Sequence, residues 1–293
     1  MANIDLITGF LGAGKTTFIR KYASFLRQRG ESFAVIENEY GTNGIDSRIL
    51  AAEGIETDEL FGGCICCTLK VGFHKMLLEL SQHFDRIIVE PSGVYDISQF
   101  YSVMNSPELS GKCNIGNIIC VINPLSLNEL DEFSKQMLKN QALASGAVIF
   151  SMNDKENNTK ISEYTEKACC ILEIDTLPVL EYNDFNALYN AGASMYIPHK
   201  ETYHSAKYLS TVVKPAMLEQ EEVSNRIKKL FCSTECGNIL RIKGIWGKYL
   251  VNCVKDNFEI YPQKGSNGIN IIGTDLSRKN IMKIINGDNH GTY

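Results

Sequence analysis

Residues 9–16, Gly-Phe-Leu-Gly-Ala-Gly-Lys-Thr, have the types and spacing of a loop that holds the phosphates of a nucleotide. They fit the pattern G-x-x-x-x-G-K-[ST], in which glycines let backbone N–H groups converge on the β-phosphate. Lys15 is predicted to reach the β- and γ-phosphates, and Thr16 to place its hydroxyl on Mg²⁺. The other residues predicted to line the nucleotide are Gly9, Gly12, Ala13, Gly14 and Thr17. The alternative, a glycine-rich turn that only caps a helix, is disfavoured by the strand expected before the loop and the helix expected after it.

A second set of polar residues follows the apolar run RIIVE at 86–90. Glu90 ends this run and is predicted to hold a Mg²⁺-bound water or to orient the attacking water. Gly93 is predicted to offer its backbone N–H to the γ-phosphate, which makes the turn sensitive to that phosphate. The alternative is an ordinary turn at the end of a strand.

Three cysteines stand close together in the segment Gly-Gly-Cys-Ile-Cys-Cys at 62–67. In an extended chain Cys64 and Cys66 project to the same side and can bind one metal ion, whereas Cys66 and Cys67 point apart. Two or three thiolates suit Zn²⁺ and also other thiophilic first-row metals. The alternative is three small buried hydrophobic residues, which the paired glycines disfavour.

Further metal ligands are expected because two thiolates leave a tetrahedral site incomplete. Glu37 and Glu39 follow the second predicted strand, so they open on the same sheet edge as the phosphate loop. His74 is a weaker candidate, since a lone histidine in a helix more often lies at the surface or in the core. Cys232 and Cys236 would share one helix face if the helix continued that far, as a second metal site or as simple packing.

Composition limits the classes of partner. The chain has 293 residues, 44% of them hydrophobic, which suggests one large domain plus a smaller one. The formal charge of -5 and the absence of a long basic run predict neither a nucleic-acid nor a membrane partner. The first residues lack the pattern of a signal peptide, and no apolar run approaches the roughly 20 residues of a membrane span, so a cytoplasmic location is expected.

The ten cysteines of a cytoplasmic chain are expected to remain reduced, so the clustered ones are interpreted as metal ligands or reactive thiols. Cys113, Cys120 and Cys253 lie in or beside apolar runs and are predicted to be core residues. Of the adjacent Cys169 and Cys170, one is predicted to be buried.

The elements that position these residues follow an alternating pattern in the first half of the chain. This pattern predicts an α/β fold with a doubly wound and mainly parallel sheet. With the phosphate loop at 9–16, the fold expected is of the P-loop NTPase type. The predicted strands are 3–8, 32–37, 86–90, 117–122, 147–151 and 177–180, and the predicted helices are 15–29, 70–83, 95–106, 126–143 and 159–173.

Three parts of the chain are predicted: a nucleotide-binding domain at 1–190, a connecting segment at 191–221 and a smaller C-terminal α+β domain at 222–293. The C-terminal elements predicted are a helix at 221–233, strands at 238–243, 246–254 and 257–262, and a closing helix at 277–286. The single tryptophan, Trp246, is interpreted as part of a docking surface of this domain.

Four segments occur in a characteristic order: GFLGAGKTT at 9–17, ENEYG at 37–41, GGCICC at 62–67 and EPSG at 90–93. In this combination the chain resembles the CobW-like family of P-loop GTPases, relatives of the accessory GTPases that help to insert nickel into hydrogenase and urease. A further segment, Arg-Ile-Lys-Gly at 241–244, resembles the R-x-K-G strand of the CobW C-terminal domain.

The resemblance implies a GTPase that uses GTP and Mg²⁺ to deliver Zn²⁺, Co²⁺ or a related ion. It implies Cys64, Cys66 and Cys67 as the thiols that bind the metal. The partner it implies is a client metalloprotein or a cofactor-maturation enzyme, and the carrier itself is expected to be a monomer or a homodimer.

The chain departs from the family pattern at three places. The guanine-recognition motif [NT]-K-x-D stands here as Ser151-Met152-Asn153-Asp154, without its lysine; Asp154 is still expected to accept hydrogen bonds from guanine. Thr42 stands near the place of a glutamate that is usual in the family. The segment 191–221 lacks the histidine-rich stretch that many relatives carry.

Three functions compete. In the first, nucleotide binding orders the ENEYG and EPSG loops around the thiols, and hydrolysis relaxes them, so that the affinities for metal and nucleotide are coupled. In the second, the chain is a nucleotide-driven remodelling factor of a cofactor-bearing partner, with structural cysteines. A non-hydrolysing nucleotide sensor is the third, which the presence of Lys15, Thr16 and Glu90 disfavours.

Overall fold

A computed structural model describes residues 1–37, 57–59, 70–151, 158–196, 208–255 and 257–287 of the chain. These residues form two compact units, an amino-terminal one that reaches residue 196 and a C-terminal one that begins at residue 208. In the described part of the chain, no helix is both long and apolar enough to cross a membrane.

The amino-terminal unit is built on a parallel sheet. Its strands are β1 (Ala2–Thr8), β2 (Phe33–Glu37), β3 (Thr57–Glu59), β4 (Arg86–Glu90), β5 (Cys113–Ile122) and β6 (Ala147–Phe150). Their order across the sheet is β3-β2-β4-β1-β5-β6, and neighbouring strands pair in parallel. This confirms the predicted doubly wound sheet, whose carboxyl edge is the usual place for a ligand.

Helices cover both faces of this sheet. They are α1 (Lys15–Gln28), α2 (Lys70–Leu80), α3 (Ser98–Met104), α4 (Glu132–Leu143), α5 (Asn158–Leu172) and α6 (Phe185–Tyr189). Successive strand residues point to opposite faces, so β1 contributes Ile4 and Leu6 to one core and Ile7 to the other. The first core includes Phe73 of α2, and the second includes Phe18 of α1.

Three predicted elements differ from the structure. The predicted helix at 126–143 is a 3₁₀ helix (Pro124–Glu129) followed by α4, because Asp131 caps α4 by accepting a hydrogen bond from the Ser134 amide at 2.8 Å. The predicted helix at 95–106 is shorter, as α3. The predicted strand at 177–180 is an isolated bridge between Val148 and Val179, since Pro178 has no N–H to extend a ladder.

The C-terminal unit is an antiparallel sheet with two helices, as the predicted α+β class requires. Its strands are β7 (Tyr208–Val213), β8 (Asn238–Trp246), β9 (Tyr249–Val254), β10 (Asn257–Pro262) and β11 (Gly268–Thr274), in the order β10-β9-β8-β11-β7. Helices α7 (Gln220–Cys232) and α8 (Arg278–Asn286) place Val223, Ile227 and Ile281 in a core shared with the sheet.

Three features of the C-terminal unit differ from the predictions. Strand β8 continues through Trp246, and the turn to β9 is Gly247-Lys248, where Gly247 adopts φ 63°. Trp246 is fully buried and donates a hydrogen bond from Nε1 to the Ala216 carbonyl at 3.0 Å, so it is a core residue and not a docking surface. Strand β7 was also missed, because it lies inside the segment predicted as a connection.

Candidate nucleotide and metal site

The phosphate loop lies between β1 and α1, as predicted. Gly9 has φ 137°, and a Cβ at this position would stand 2.1 Å from the carbonyl oxygen of Val121 on β5. Gly14 precedes α1 with φ 89°, in the left-handed region that favours glycine. The loop therefore requires glycine at both positions: at Gly9 because there is no space for a side chain, and at Gly14 because of its backbone angle.

Lys15, the first residue of α1, is folded back over the loop. It is buried, and its Nζ donates hydrogen bonds to the carbonyl oxygens of Gly9 at 3.1 Å and Phe10 at 3.4 Å. An ammonium group has three donors, so phosphate oxygens can replace these carbonyls without a change in the backbone. The amine is thus held beside the loop that is expected to carry the phosphates.

Thr16 and Glu90 lie together across the site. The Thr16 hydroxyl lies within hydrogen-bond distance of both carboxylate oxygens of Glu90, at 3.1 Å and 3.0 Å. A hydroxyl beside a carboxylate is an oxygen-only set that suits Mg²⁺. The two residues predicted to serve the metal and the attacking water are therefore adjacent, whereas Thr17 is exposed at the next position.

The turn after β4 presses against the phosphate loop. A Cβ on Gly93 would stand 2.4 Å from the Leu11 amide nitrogen and 2.7 Å from the carbonyl carbon of Phe10. Only glycine allows this approach without a backbone shift. Gly93 thus lies beside the loop, where its predicted role toward the γ-phosphate requires it.

Glu37 ends β2 at the same edge of the sheet. It is buried at 3% relative exposure, and it stands in register with Glu90 on β4. Its predicted position at the edge that carries the phosphate loop agrees with the structure. The other predicted metal ligands, Glu39, Cys64, Cys66 and Cys67, lie outside the described residues.

Elsewhere in the described chain, no three His, Cys, Asp or Glu side chains are grouped in a way that could hold a metal ion. His74, on α2, lies 3.6 Å from Glu108, measured between Nε2 and Oε2. Helix α7 ends at Cys232, which is exposed, and Cys236 is buried in the short 3₁₀ helix that follows. The shared helix face that a site at these two cysteines requires does not form.

At the end of β6, Ser151 is the one described member of the predicted base-recognition motif, since Asn153 and Asp154 lie outside the described residues. Ser151 is buried, and its side chain stands 3.7 Å from the point that a Cβ on Gly14 would occupy. Ser151 was not among the residues predicted to bind the nucleotide. The signal was available, because Ser151 is the first residue of a motif that follows a strand.

Cys120 of β5 is a second neighbour of the site that was assigned only to the core. It stands opposite Thr8 in the sheet register and is fully buried. Burial raises the pKa of its thiol to about 12, although the positive charge of Lys15 acts in the opposite direction. The thiol is therefore protonated near neutral pH.

The other scattered cysteines agree with their predictions. Cys113 and Cys253 are buried, and in the adjacent pair Cys169 is buried while Cys170 is exposed.

Comparisons with known proteins show which family the nucleotide-binding part of the chain resembles. Residues 3–174 match the family described as CobW/HypB/UreG, nucleotide-binding domain. The zinc chaperone YeiR of Escherichia coli is 30% identical over 159 residues, which cover 53% of this chain and 48% of YeiR. The zinc chaperone CobW of Pseudomonas aeruginosa is 33% identical over 132 residues, covering 41% of this chain and 35% of CobW.

Among solved structures, the zinc-bound YjiA GTPase of Escherichia coli aligns with 97% of this chain and 97% of its own, at 19% identity and a TM-score of 0.44. The chain spans about half the length, or less, of the curated relatives named above. The family match runs from the strand before the phosphate loop through the helix after β6, which is more than half of the chain. The chain therefore belongs to the CobW/HypB/UreG family through its nucleotide-binding domain.

Proposed function

We propose that this chain hydrolyses GTP and uses the cycle to bind and deliver a thiophilic divalent metal, Zn²⁺ or Co²⁺, to a client metalloprotein or cofactor pathway. The observation that carries the proposal is the contact between the turn after β4 and the phosphate loop. Gly93 lies against the backbone of the loop, and Glu90 lies against Thr16. Names of the relatives, which are called zinc chaperones, support the metal part.

The residues have separate roles in hydrolysis. Lys15 binds the β- and γ-phosphates, and its charge stabilises the negative charge that develops on them. The backbone N–H of Gly93 faces the γ-phosphate. Glu90 orients the attacking water or would help to hold Mg²⁺. Thr16 and Glu90 would hold Mg²⁺, which supplies charge neutralisation between the phosphates.

Base recognition is assigned to the segment after β6. Asp154 accepts hydrogen bonds from the N1 and N2 donors of guanine, and Asn153, which precedes it in the sequence, is also assigned to base binding. Met152 replaces the family's lysine, so the aliphatic contact with the base must come from Met152 or is lost. We expect a preference for GTP over ATP that is smaller than a motif with lysine gives.

The metal is carried as cargo, by Cys64, Cys66 and Cys67 together with Glu37 and Glu39. Thiolates bind Zn²⁺ and Co²⁺, and carboxylates complete such sites. Glu37 stands in register with Glu90, and only β4 separates its strand from β1, which leads into the phosphate loop. A change in the loops that contact the γ-phosphate can therefore move the nearby metal ligands. The affinity for the metal and the affinity for the nucleotide then become linked.

The test is a titration of Co²⁺ and Zn²⁺ into the reduced chain with GDP, with a non-hydrolysable GTP analogue or with the matching ATP analogue. Thiolate–Co²⁺ absorption bands report on the metal. We expect the affinity to rise with the GTP analogue and the bands to disappear in Cys66→Ser. The matched control is Cys170→Ser, which changes an exposed cysteine outside the predicted site.

Absence of the bands with every nucleotide would overturn the metal part and favour the remodelling factor with structural cysteines. Hydrolysis is tested separately with Lys15→Ala, which should lower GTP turnover by about a thousandfold. Replacement of the exposed Lys75 by alanine is its control and should leave turnover unchanged. Equal turnover of Lys15→Ala and the parent chain would overturn the GTPase assignment.

A further inference from the structure

The two helices of the C-terminal unit form a basic layer in a chain whose formal charge is -5. Their cationic residues are Arg226, Lys228, Lys229, Arg278, Lys279 and Lys283, and their carboxylates are Glu221 and Glu222. All the cations of this layer except Arg226 are exposed. Such local charge opposite in sign to that of the whole chain favours a negatively charged partner at this face.

A groove runs between the two helices. It has a volume of 350 Å³, and its lining includes Arg226, Lys229 and Ser233 from the side of α7, with Asn280 and Lys283 from α8. Charged and hydrogen-bonding groups are prominent in this lining, so the groove is suited to a polar ligand. No part of the proposed nucleotide or metal function uses it.

Arg226 fixes the two walls of the groove together. Its Nε donates a hydrogen bond to Glu222 Oε1 at 2.7 Å, one turn earlier on the same helix. Its Nη1 donates to the carbonyl oxygen of Ile285 at 2.6 Å, in the last turn of α8. Arg226 is thereby used inside the fold, and its hydrogen bonds join the two walls of the groove.

Lys229 and Lys283, in contrast to Arg226, do not link the two helices. Both are exposed, and neither makes an ion pair with any other residue that the structure describes. Each stands in the last turn of its helix, where a cation interacts favourably with the helix dipole. The dipole accounts for each lysine on its own helix. It does not account for the presence of both in one groove beside the amide of Asn280 and the hydroxyl of Ser233.

We propose that this groove binds an acidic segment of a partner protein, with side-chain carboxylates of that segment paired to Lys229 and Lys283. Glu235 also lines the groove and would repel the closely spaced charges of a nucleic-acid backbone, whereas the carboxylate of Glu222 is already paired with Arg226. A peptide places neutral groups between its carboxylates, and these groups can meet Asn280 and Ser233. The binding is expected to be weak and sensitive to salt, because the lysines are exposed.

The experiment measures the fluorescence anisotropy of a labelled Glu-Gly repeat peptide with the full, reduced chain, without nucleotide or added metal. We expect binding at low ionic strength and at least about a tenfold loss of affinity in the double variant Lys229→Glu/Lys283→Glu. The matched control is Lys75→Glu/Lys167→Glu, which changes the net charge equally at exposed lysines of the other unit. Its affinity should fall by less than about twofold.

An equal loss in both double variants would overturn the proposal, since net charge alone would then explain the binding. Equal affinity for a Gln-Gly repeat peptide, or tighter binding of a DNA duplex, would overturn it as well. If charge reversal unfolds the C-terminal unit, Lys229→Gln/Lys283→Gln replaces it. GTP turnover of the groove variants should equal that of the parent chain, so failure here is distinguishable from failure of the proposed function.

Discussion

Two polar clusters share the parallel sheet of the amino-terminal unit, and they differ in what surrounds their charges. At the carboxyl edge, Lys15 is bonded to loop carbonyls and the Thr16 hydroxyl to Glu90. A phosphate group can take the place of the carbonyls as the partner of Lys15, and a metal ion can bind the Thr16 and Glu90 oxygens in place of their hydrogen bond. The second cluster lies farther back along β1, around Asp5, and its bonds are to groups of the fold itself.

Asp5 is fully buried and accepts from three donors. Arg86 Nη1 donates to Asp5 Oδ2 at 2.6 Å, Tyr22 Oη to the same oxygen at 2.9 Å, and the Asn117 amide to Oδ1 at 2.8 Å. Arg86 Nε also donates to Glu31 at 2.8 Å. A buried charge with this many fixed partners supports the fold, whereas a charge with replaceable partners serves a ligand.

Asp5, Arg86, Tyr22 and Asn117 form the inner cluster, and removing its cation is the most direct test of the difference between the two clusters. Arg86→Met leaves the Asp5 carboxylate buried without its counter-charge, which should lower the free energy of unfolding by about 3–5 kcal/mol. Urea denaturation of the full chain measures this loss. Arg27→Met, at an exposed position of α1, is the control and should change it by less than about 0.5 kcal/mol. Turnover per folded molecule should stay unchanged, and a large fall in it would contradict the division of roles.

The next prediction concerns the contact between Gly93 and the phosphate loop. In Gly93→Ala the new Cβ stands within 2.4 Å of the Leu11 amide nitrogen, so the turn or the loop must move. We expect GTP turnover to fall about 100-fold, because donors aimed at the phosphates lose their positions. Steady-state kinetics at saturating GTP measure the fall.

Gly111→Ala is the control for that variant. Gly111 has φ 74° and open space around it, so alanine there adds backbone strain without a clash at the site. Turnover of Gly111→Ala should match that of the parent chain. If both variants lose activity equally, a general loss of stability is the cause, and the proposed contact with the γ-phosphate is wrong.

Replacing Glu90 should lower GTP turnover less than Gly93→Ala does. Glu90→Gln keeps an oxygen near Thr16 but removes the negative charge, and turnover should fall about tenfold, or about 1.4 kcal/mol in barrier height. The half-saturating Mg²⁺ concentration should rise in parallel. Glu108→Gln changes an exposed carboxylate on the loop after α3 and serves as the control. Unchanged magnesium dependence in Glu90→Gln would exclude Glu90 from the metal site.

The carboxyl edge was predictable from sequence because its residues belong to short local patterns. G-x-x-x-x-G-K-[ST] fixes the order of strand, loop and helix, and the acidic residue after an apolar run marks the end of a neighbouring strand. Lys15, Thr16, Glu90 and Gly93 were named in this way. Their proximity follows from the parallel sheet, in which strand ends meet at one edge.

The inner cluster was not predictable, because its members are 17 to 112 residues apart in the chain. Asp5 lies in an apolar strand and Arg86 at the start of another, and nothing local indicates that they meet. Strand β7 was missed although its residues, YLSTVV at 208–213, include the aromatic and β-branched types that favour strands. Its partner β11 lies about sixty residues later in the chain, so nothing beside it in the sequence indicated a pairing.

The smallest expected loss of stability in the cluster around Asp5 is that of Tyr22→Phe, because this variant removes only one oxygen. Tyr22→Phe deletes the hydrogen bond to Asp5 and the one that Asn117 Nδ2 donates to Tyr22 Oη at 3.3 Å, whereas the stacking on Phe18 at 5.8 Å between ring centroids remains. Asp5 keeps Arg86, so the loss of stability should be about 1 kcal/mol. Tyr164→Phe, at an exposed position, should change the urea midpoint very little. Because Tyr22 lies on the same helix as Lys15, a fall in turnover without a fall in stability would show that the inner cluster also sets the position of the phosphate loop.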